Sequence, residues 1–375
     1  MERATEALRV VIAGGGTGGH LYPGLAVAHE LRRQRPDAAV TFAGTAQGIE
    51  ARAVPREGFD LDVLRSAGLK GKSLGHTLRG LALLPASGVD ALAILRRRRP
   101  GVVLGVGGYS SGPVVLAAAT RRVKTMVLEQ NAVPGLANRL LARVVDAAAV
   151  TYEETVAFFG PKAVVTGNPV RAGFVEAGAS RLRAEAPAVR AARVLVFGGS
   201  QGAHAINLAM VDAAQTLVAL PVEVTHQTGP ADLAVVRQAY EAAGLRARVE
   251  AFFDEMDREM ARADLIVCRA GATTLAEVTA AGRPALLVPL PTATDDHQRR
   301  NAEALVRAGA AEMLDQRDLT GASLAASIRR LVYDPARRDR LAAQAHALSR
   351  PDAARTIVER IIALAEGGRP RDGVH

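Results

Sequence analysis

Near its start the chain reads Arg9-Val-Val-Ile-Ala-Gly-Gly-Gly-Thr-Gly-Gly-His20, and at mid-chain it reads Arg193-Val-Leu-Val-Phe-Gly-Gly-Ser-Gln-Gly-Ala-His204. Each stretch is a short apolar run, a glycine turn and the start of a helical pattern. The recurrence marks two copies of one βα opening, not a solenoid, because the motif occurs only twice. Outward from the first copy, Leu8–Ala13, Ala39–Ala43, Val102–Val106 and Thr125–Leu128 read as buried strands. Outward from the second, Glu223–Thr225, Val249–Phe252, Leu265–Val267 and Ala285–Val288 do the same. Amphipathic segments separate them, so the class is α/β with parallel sheets and helices on both faces.

These readings give two Rossmann-like domains, 1–171 and 193–351. The Ala-rich, charged stretch 172–192 serves as the linker. Two such domains facing each other across a cleft would bind ligands at the carboxyl ends of their strands. A length of 375 residues suits two cores of ordinary size.

The formal charge is +9, from 47 basic and 38 acidic residues, which favours an anionic partner. A nucleic-acid surface would interleave basic residues with stacking aromatics, and aromatics are only 3% of the chain. The single cysteine, Cys268, rules out a disulfide framework within one chain, and a reducing compartment is expected. The apolar run at Val10–Ala13 is too short for a secretory signal. The longest apolar stretch, Leu81–Leu95, is broken by Pro85 and Asp90, so no bilayer span is expected.

Gly14 to Gly19 satisfies the G-x-G-x-x-G pattern. A dinucleotide site also needs an acid at the end of the next strand. That strand closes Thr41-Phe-Ala-Gly-Thr45 without one, and Glu50 lies past the turn. The glycines instead let backbone N–H groups approach an anion at a helix start, and both loops are candidates for phosphate contact. His20 opens the first helix, where the dipole disfavours its protonated form. A neutral imidazole there can act as a general base, or simply pack beneath the loop.

The second half carries Cys268-Arg-Ala-Gly-Ala-Thr-Thr-Leu-Ala-Glu277 after a strand. Gly271 turns the chain, Thr273 and Thr274 start a helix suited to a diphosphate, and Glu277 can accept both hydroxyls of a ribose. Otherwise Glu277 is a favourable acid about one turn into the helix. Asp295, Asp296 and His297 are sequential neighbours without ligand spacing, so no metal site is expected. His297 and Gln298 suit hydrogen bonds to a sugar.

With these motifs in order, the chain resembles the MurG family, the UDP-N-acetylglucosamine–N-acetylmuramyl-(pentapeptide) pyrophosphoryl-undecaprenol N-acetylglucosamine transferases. The resemblance rests on Gly15–His20 with Pro23-Gly-Leu-Ala26, Gly107-Gly-Tyr-Ser-Ser-Gly-Pro113, Glu129-Gln-Asn131 and Gly167-Asn-Pro-Val-Arg171. It continues through Gly198–Ala203, Cys268–Glu277, and His297-Gln298 with Asn301-Ala302. The chain departs from it at Ser110, often Pro in the family, and at Leu128, often His.

The resemblance implies a GT-B fold and inverting transfer without a cofactor or metal. It implies that the helix at about 352–366 packs back on the first domain. It places Thr17, Gly18, Gly19 and Asn131 near the donor's sugar and phosphates. Arg171, Ser200 and Gln201 fall near the diphosphate, and the backbone of Phe253 at the uracil. The run Ala272, Thr273, Thr274, Leu275, Ala276 and Glu277 holds phosphate and ribose, and Gln298 with His297 holds sugar hydroxyls. His20, Tyr109 and Glu129 lie on the acceptor side. His20 is the expected base, with Glu129 as its alternative or its orienting partner. The implied partners are UDP-N-acetylglucosamine, a lipid-linked muramyl-pentapeptide acceptor and other cell-wall enzymes.

Leu69–Leu84 mixes leucines with Lys70, Lys72 and Arg79. Arg96 to Arg99, Arg121, Arg122, Lys124, Arg139 and Arg143 follow. Apolar residues rimmed by arginine suit an anionic leaflet, which would place the protein peripherally on the cytoplasmic face of the inner membrane. A UDP-N-acetylglucosamine 2-epimerase would share the fold and need no such patch.

Overall fold

A computed structural model describes residues 7–65, 74–183, 190–199, 202–293 and 296–367. The chain divides into two compact units, Met1–Pro169 with Asp352–His375, and Val170–Pro351.

The first unit is built on seven parallel strands. They are β1 (Arg9–Gly14), β2 (Ala39–Gly44), β3 (Asp60–Val63), β4 (Val102–Gly107), β5 (Lys124–Glu129), β6 (Ala147–Val150) and β7 (Ala163–Val165). Their order across the sheet is β3-β2-β1-β4-β5-β6-β7. β1, β4 and β5 are buried nearly throughout, as continuous apolar strands covered on both faces must be. One face packs Leu21, Leu25 and Leu31 of helix Gly18–Gln34 against Ile12, Leu104 and Met126. The other packs Val114, Val115 and Ala118 of helix Ser111–Thr120 against Val11, Val103 and Val127. Helix Ala353–Ala365 adds Ile357, Val358 and Ile361 to the first face. These three lie within about one helical turn, on the stripe that an amphipathic helix buries.

The second unit has six parallel strands: β8 (Ala192–Phe197), β9 (Val222–Gln227), β10 (Ala247–Glu250), β11 (Leu265–Cys268), β12 (Ala285–Leu287) and β13 (Glu312–Met313). Their order is β10-β9-β8-β11-β12-β13. In each sheet the order reverses direction beside the first strand of the unit. The switch points are therefore β1/β4 and β8/β11, where open α/β sheets bind ligands. Both glycine loops leave these points.

The first part of the expected linker 172–192 belongs to the second unit, and residues 184–189 lie outside the described residues. Ala172–Arg183 is a helix of the second unit, with Phe174 fully buried against that unit's core. Its many alanines lower the cost of helix formation, and one large apolar side chain anchors it. Strands β3, β6, β7 and β13 were also absent from the sequence reading. Asp-Leu-Asp-Val and Ala-Ala-Ala-Val carry too little apolar bulk to stand out from their surroundings.

Candidate active site

In the first unit, the loop after β1 is gripped from two sides. On one side, β1 and β4 change register at Ala13/Gly14, and the Gly15 N–H donates to the Gly107 carbonyl at 3.3 Å. Gly107 and Gly108 permit this approach. A Cβ at Gly108 would overlap the Gly15 carbonyl, and one at Gly107 would lie 2.9 Å from His20 Nδ1. The second glycine motif thus gives the first loop and the His20 ring a surface without side chains.

On the other side stands Glu50, the first residue of helix Glu50–Arg56 and fully buried. Its Oε2 accepts from the Gly16 N–H at 2.7 Å. Its Oε1 accepts from the Thr45 N–H at 2.9 Å and the Thr45 hydroxyl at 2.8 Å. A carboxylate of the protein thus holds the first loop. Beyond it, Thr17 is the extended N-cap of helix Gly18–Gln34, and its carbonyl accepts from His20 and Leu21. His20 is half-buried, Thr17 and Gly19 are exposed, and Gly18 is intermediate. Tyr109 is exposed.

Glu129 ends β5 and is buried. Oε1 accepts from the N–H and the Nδ2 of Asn131, at 3.0 and 3.2 Å. Oε2 accepts from the Gly135 N–H and Asn138 Nδ2, at 3.0 and 2.9 Å. Burial pushes its pKa up, and these bonds pull the other way. Both oxygens are engaged in holding the turn that carries Asn131.

In the second unit, the loop after β8 begins at Gly198, while Ser200 and Gln201 lie outside the described residues. Gln227, the last residue of β9, donates through Nε2 to the Gly199 carbonyl at 3.1 Å. Its Oε1 accepts from the Phe253 N–H at 2.8 Å. That engagement leaves the Phe253 carbonyl as the backbone group able to meet a base. Beneath the loop, buried His226 contacts Tyr240 Oη and Asn207 Oδ1, at 2.8 and 3.0 Å. Burial lowers its pKa to about 3, so it is a neutral structural histidine.

The helix after β11 runs Ala272–Ala280 with Gly271 as N-cap and no acid in its first turn. Its first turn therefore presents the N–H groups of Ala272 to Thr274 along the positive end of the dipole. Glu277 is not at the helix start. It is the sixth helical residue and buried, with its pKa pushed up to about 7 by burial and opposed by the Arg171 charge. The Arg171 guanidinium lies 5.0 Å from the Phe174 ring centroid. Thr274 and Ala276 are partly exposed. Leu275 turns its side chain into the core, and its N–H donates to the Gly271 carbonyl.

Gln298 and His297 open helix His297–Arg307; Gln298 is half-buried. Gln298 Oε1 accepts from the Ala270 and Leu290 N–H groups, at 3.3 and 3.0 Å, which bolts together the loops leaving β11 and β12. Its amide NH2 is the end that can face a sugar. Arg269 braces the same two loops by donating to the Val288 carbonyl at 3.0 Å.

The glycosyltransferase family 28 N-terminal domain matches residues 10–150, and the C-terminal domain of the same family matches 193–357. The chain is 48% identical over 355 residues to the UDP-N-acetylglucosamine–N-acetylmuramyl-(pentapeptide) pyrophosphoryl-undecaprenol N-acetylglucosamine transferase of Anaeromyxobacter dehalogenans (strain 2CP-C), covering 94% of this chain and 92% of that one. It is likewise 48% identical to the Pelobacter propionicus protein of the same name, over 95% and 99% of the two chains. The crystal structure of MurG from Acinetobacter baumannii superposes with a TM-score of 0.76 at 29% identity, over 95% and 99%.

The chain belongs to the MurG family.

Its two Rossmann-like units are those of a GT-B glycosyltransferase. Against the MurG pattern, Leu128 is fully buried in the first unit's core and Ser110 is buried at the N-cap of helix Ser111–Thr120. Two polar residues that hold the glycine loops had no role in the sequence reading: Glu50, noted only as lying past the turn, and Gln227, which was not singled out. Each lies far along the chain from the glycines it holds, so spacing gave no signal for either.

Proposed function

We propose that the chain transfers N-acetylglucosamine from UDP-N-acetylglucosamine to the 4-hydroxyl of the muramyl sugar of undecaprenyl-pyrophosphoryl-MurNAc-pentapeptide, with inversion. The observation that carries this reading is the second unit's switch point. A helix N-terminus with no acid in its first turn, a buried carboxyl and an arginine stand together there, which is the chemistry of a nucleoside diphosphate. Ala272 to Thr274 hold the phosphates, Glu277 accepts from the ribose hydroxyls, and the Phe253 carbonyl accepts from the uracil. The Gln298 amide donates to the sugar, with His297 beside it. Ser200, Gln201 and Arg171 stabilise the charge that grows on the leaving diphosphate. Preorganised donors of this kind are typically worth about 3 to 4 kcal/mol each.

The first unit handles the acceptor. His20 takes the proton of the attacking hydroxyl, with Tyr109 on the same acceptor side and Thr17, Gly18 and Gly19 toward the donor's sugar and phosphates. One base suffices, because attack from the face opposite the leaving UDP forms no covalent enzyme intermediate. Glu129 acts through Asn131, which it orients, since its own oxygens are engaged.

The lipid acceptor calls for a membrane surface. No helix among the described residues is long and apolar enough to cross a membrane. Leu136, Leu140 and Val144 are exposed beside Arg139 and Arg143, and Arg121 is exposed nearby in sequence, close to Arg122 and Lys124. Such a patch suits peripheral docking on the anionic cytoplasmic leaflet. Lys70 and Lys72 lie outside the described residues.

The decisive experiment supplies labelled UDP-N-acetylglucosamine and a short-chain lipid-linked muramyl acceptor in the presence of EDTA. Label in the acceptor supports both the reaction and its independence from metal. Release of UDP with an altered free sugar would instead indicate an epimerase.

A further inference from the structure

Glu50 has no place in the reaction just described, yet the first unit is built around it. Its carboxyl is fully buried, and a methyl group added at Gly15, Gly44 or Gly48 would overlap its side chain. Three glycines, one after β1, one ending β2 and one in the loop beyond it, therefore form its cage. Inside, its three hydrogen bonds reach Gly16 on one side and Thr45 on the other. Gly16 has a φ of +83° and directly precedes Thr17, the N-cap of the helix that carries His20. The opposite side of the loop is fastened through Gly15 to Gly107, whose Cα faces the His20 ring. The loop is thus clamped between β4 and Glu50, and His20 projects from the clamped end.

We propose that Glu50 is a positioning residue for glycosyl transfer. Its carboxylate acts as a resident anion that fixes the first glycine loop, and so holds His20 where it receives the acceptor's proton. The inference rests on the reading of His20 as the base.

Glu50→Gln tests it while preserving shape. A carboxylate accepts at both oxygens, whereas an amide accepts at one end only. The NH2 of the substituted amide must face either the Gly16 or the Thr45 N–H, two donors opposed. The expected result is a 30-fold or larger fall in kcat with the donor KM within twofold. The ring resonances of His20, assigned with His20→Gln, should move in isotope-labelled protein, while those of His226 in the other unit stay fixed. Loss of folded protein alone would weaken the signals without moving them. Unmoved His20 resonances, an unchanged kcat, or a raised donor KM with kcat retained would each overturn the proposal. Should Glu50→Gln not fold, Thr45→Val removes one of the three bonds and leaves the carboxylate. A several-fold loss of kcat with a smaller displacement of the same resonances supports the proposal, and no displacement overturns it. If His20→Gln itself retains full activity, the base reading fails. If His20 is essential and Glu50→Gln is harmless, only the present inference fails.

Discussion

The two glycine loops begin from nearly the same sequence, and the structure holds them by side chains of opposite character. The first is held by a carboxylate, Glu50, which accepts from Gly16. The second is held by a neutral amide, Gln227, which donates to Gly199. Both clamps come from the end of the second strand of their unit or just beyond it. A carboxylate beneath a loop satisfies its N–H groups and repels a further anion. An amide grips the carbonyl side and leaves the electrostatics open to phosphate. The charge of the clamp, more than the glycines, distinguishes two loops of nearly the same sequence. The aligned histidines diverge too. His20 packs half-buried against Gly107, while His204 is 72% exposed and pairs with Asp232 at 2.9 Å.

The largest test of this contrast is His20→Ala. General-base loss should lower kcat by about two to four orders of magnitude, and a loss of tenfold or less would move the base elsewhere. Next comes Gln227→Glu, which gives the second loop the first loop's charge. Two unit charges roughly 7 Å apart at an effective dielectric of about 20 repel by about 2 kcal/mol. The donor KM should rise about 30-fold while the acceptor KM holds; an unchanged donor KM would break the comparison.

A smaller effect is expected at Glu277. Replacing it with Ala should raise the donor KM about tenfold and lower kcat less, because ribose contacts bind ground and transition states alike. Its pKa also predicts a pH signature. The folded value of about 7 lies above the ordinary 4.5, so the folded state holds the proton more tightly. Stability from this group is complete below about pH 4.5 and is lost as pH rises through 7. The melting temperature of the unliganded chain should therefore fall further between pH 5 and 8 than that of Glu277→Gln. Equal falls would contradict the assignment. The smallest effect touches neither loop. Arg143→Ala should weaken binding to anionic vesicles about fivefold, the worth of one basic residue near such a surface, and leave the donor KM alone. Binding insensitive to salt and lipid charge would remove the membrane reading.

Much of this was legible because it is local. An apolar run, glycines and a helix start occupy a dozen consecutive residues, so both switch points could be read from the chain. Glu277 was legible as an acid near the helix, but its depth was not, since burial depends on Arg171, Phe174 and the core beneath. The helix 172–183 was not legible because alanine and charge describe a linker and an exposed helix equally well; Phe174 and Val175 were the dissenting residues. Glu50 was set aside for lying past the turn where a ribose-binding acid belongs. Its partner Gly16 is 34 residues away, and only the fold brings them together.

The closing helix, Ala353–Ala365, has a consequence for synthesis. Ile12 and Ile361 share one core, so the unit whose translation begins first is completed last. At about 5 to 20 residues per second, the intervening 170–351 take roughly 10 to 35 seconds to make. Throughout that interval the seat of the closing helix, along Gly18–Gln34 and the strands beside it, stays uncovered. The order of birth and the order of maturation are reversed, and a chain that ends before residue 352 would leave the first unit's core uncovered.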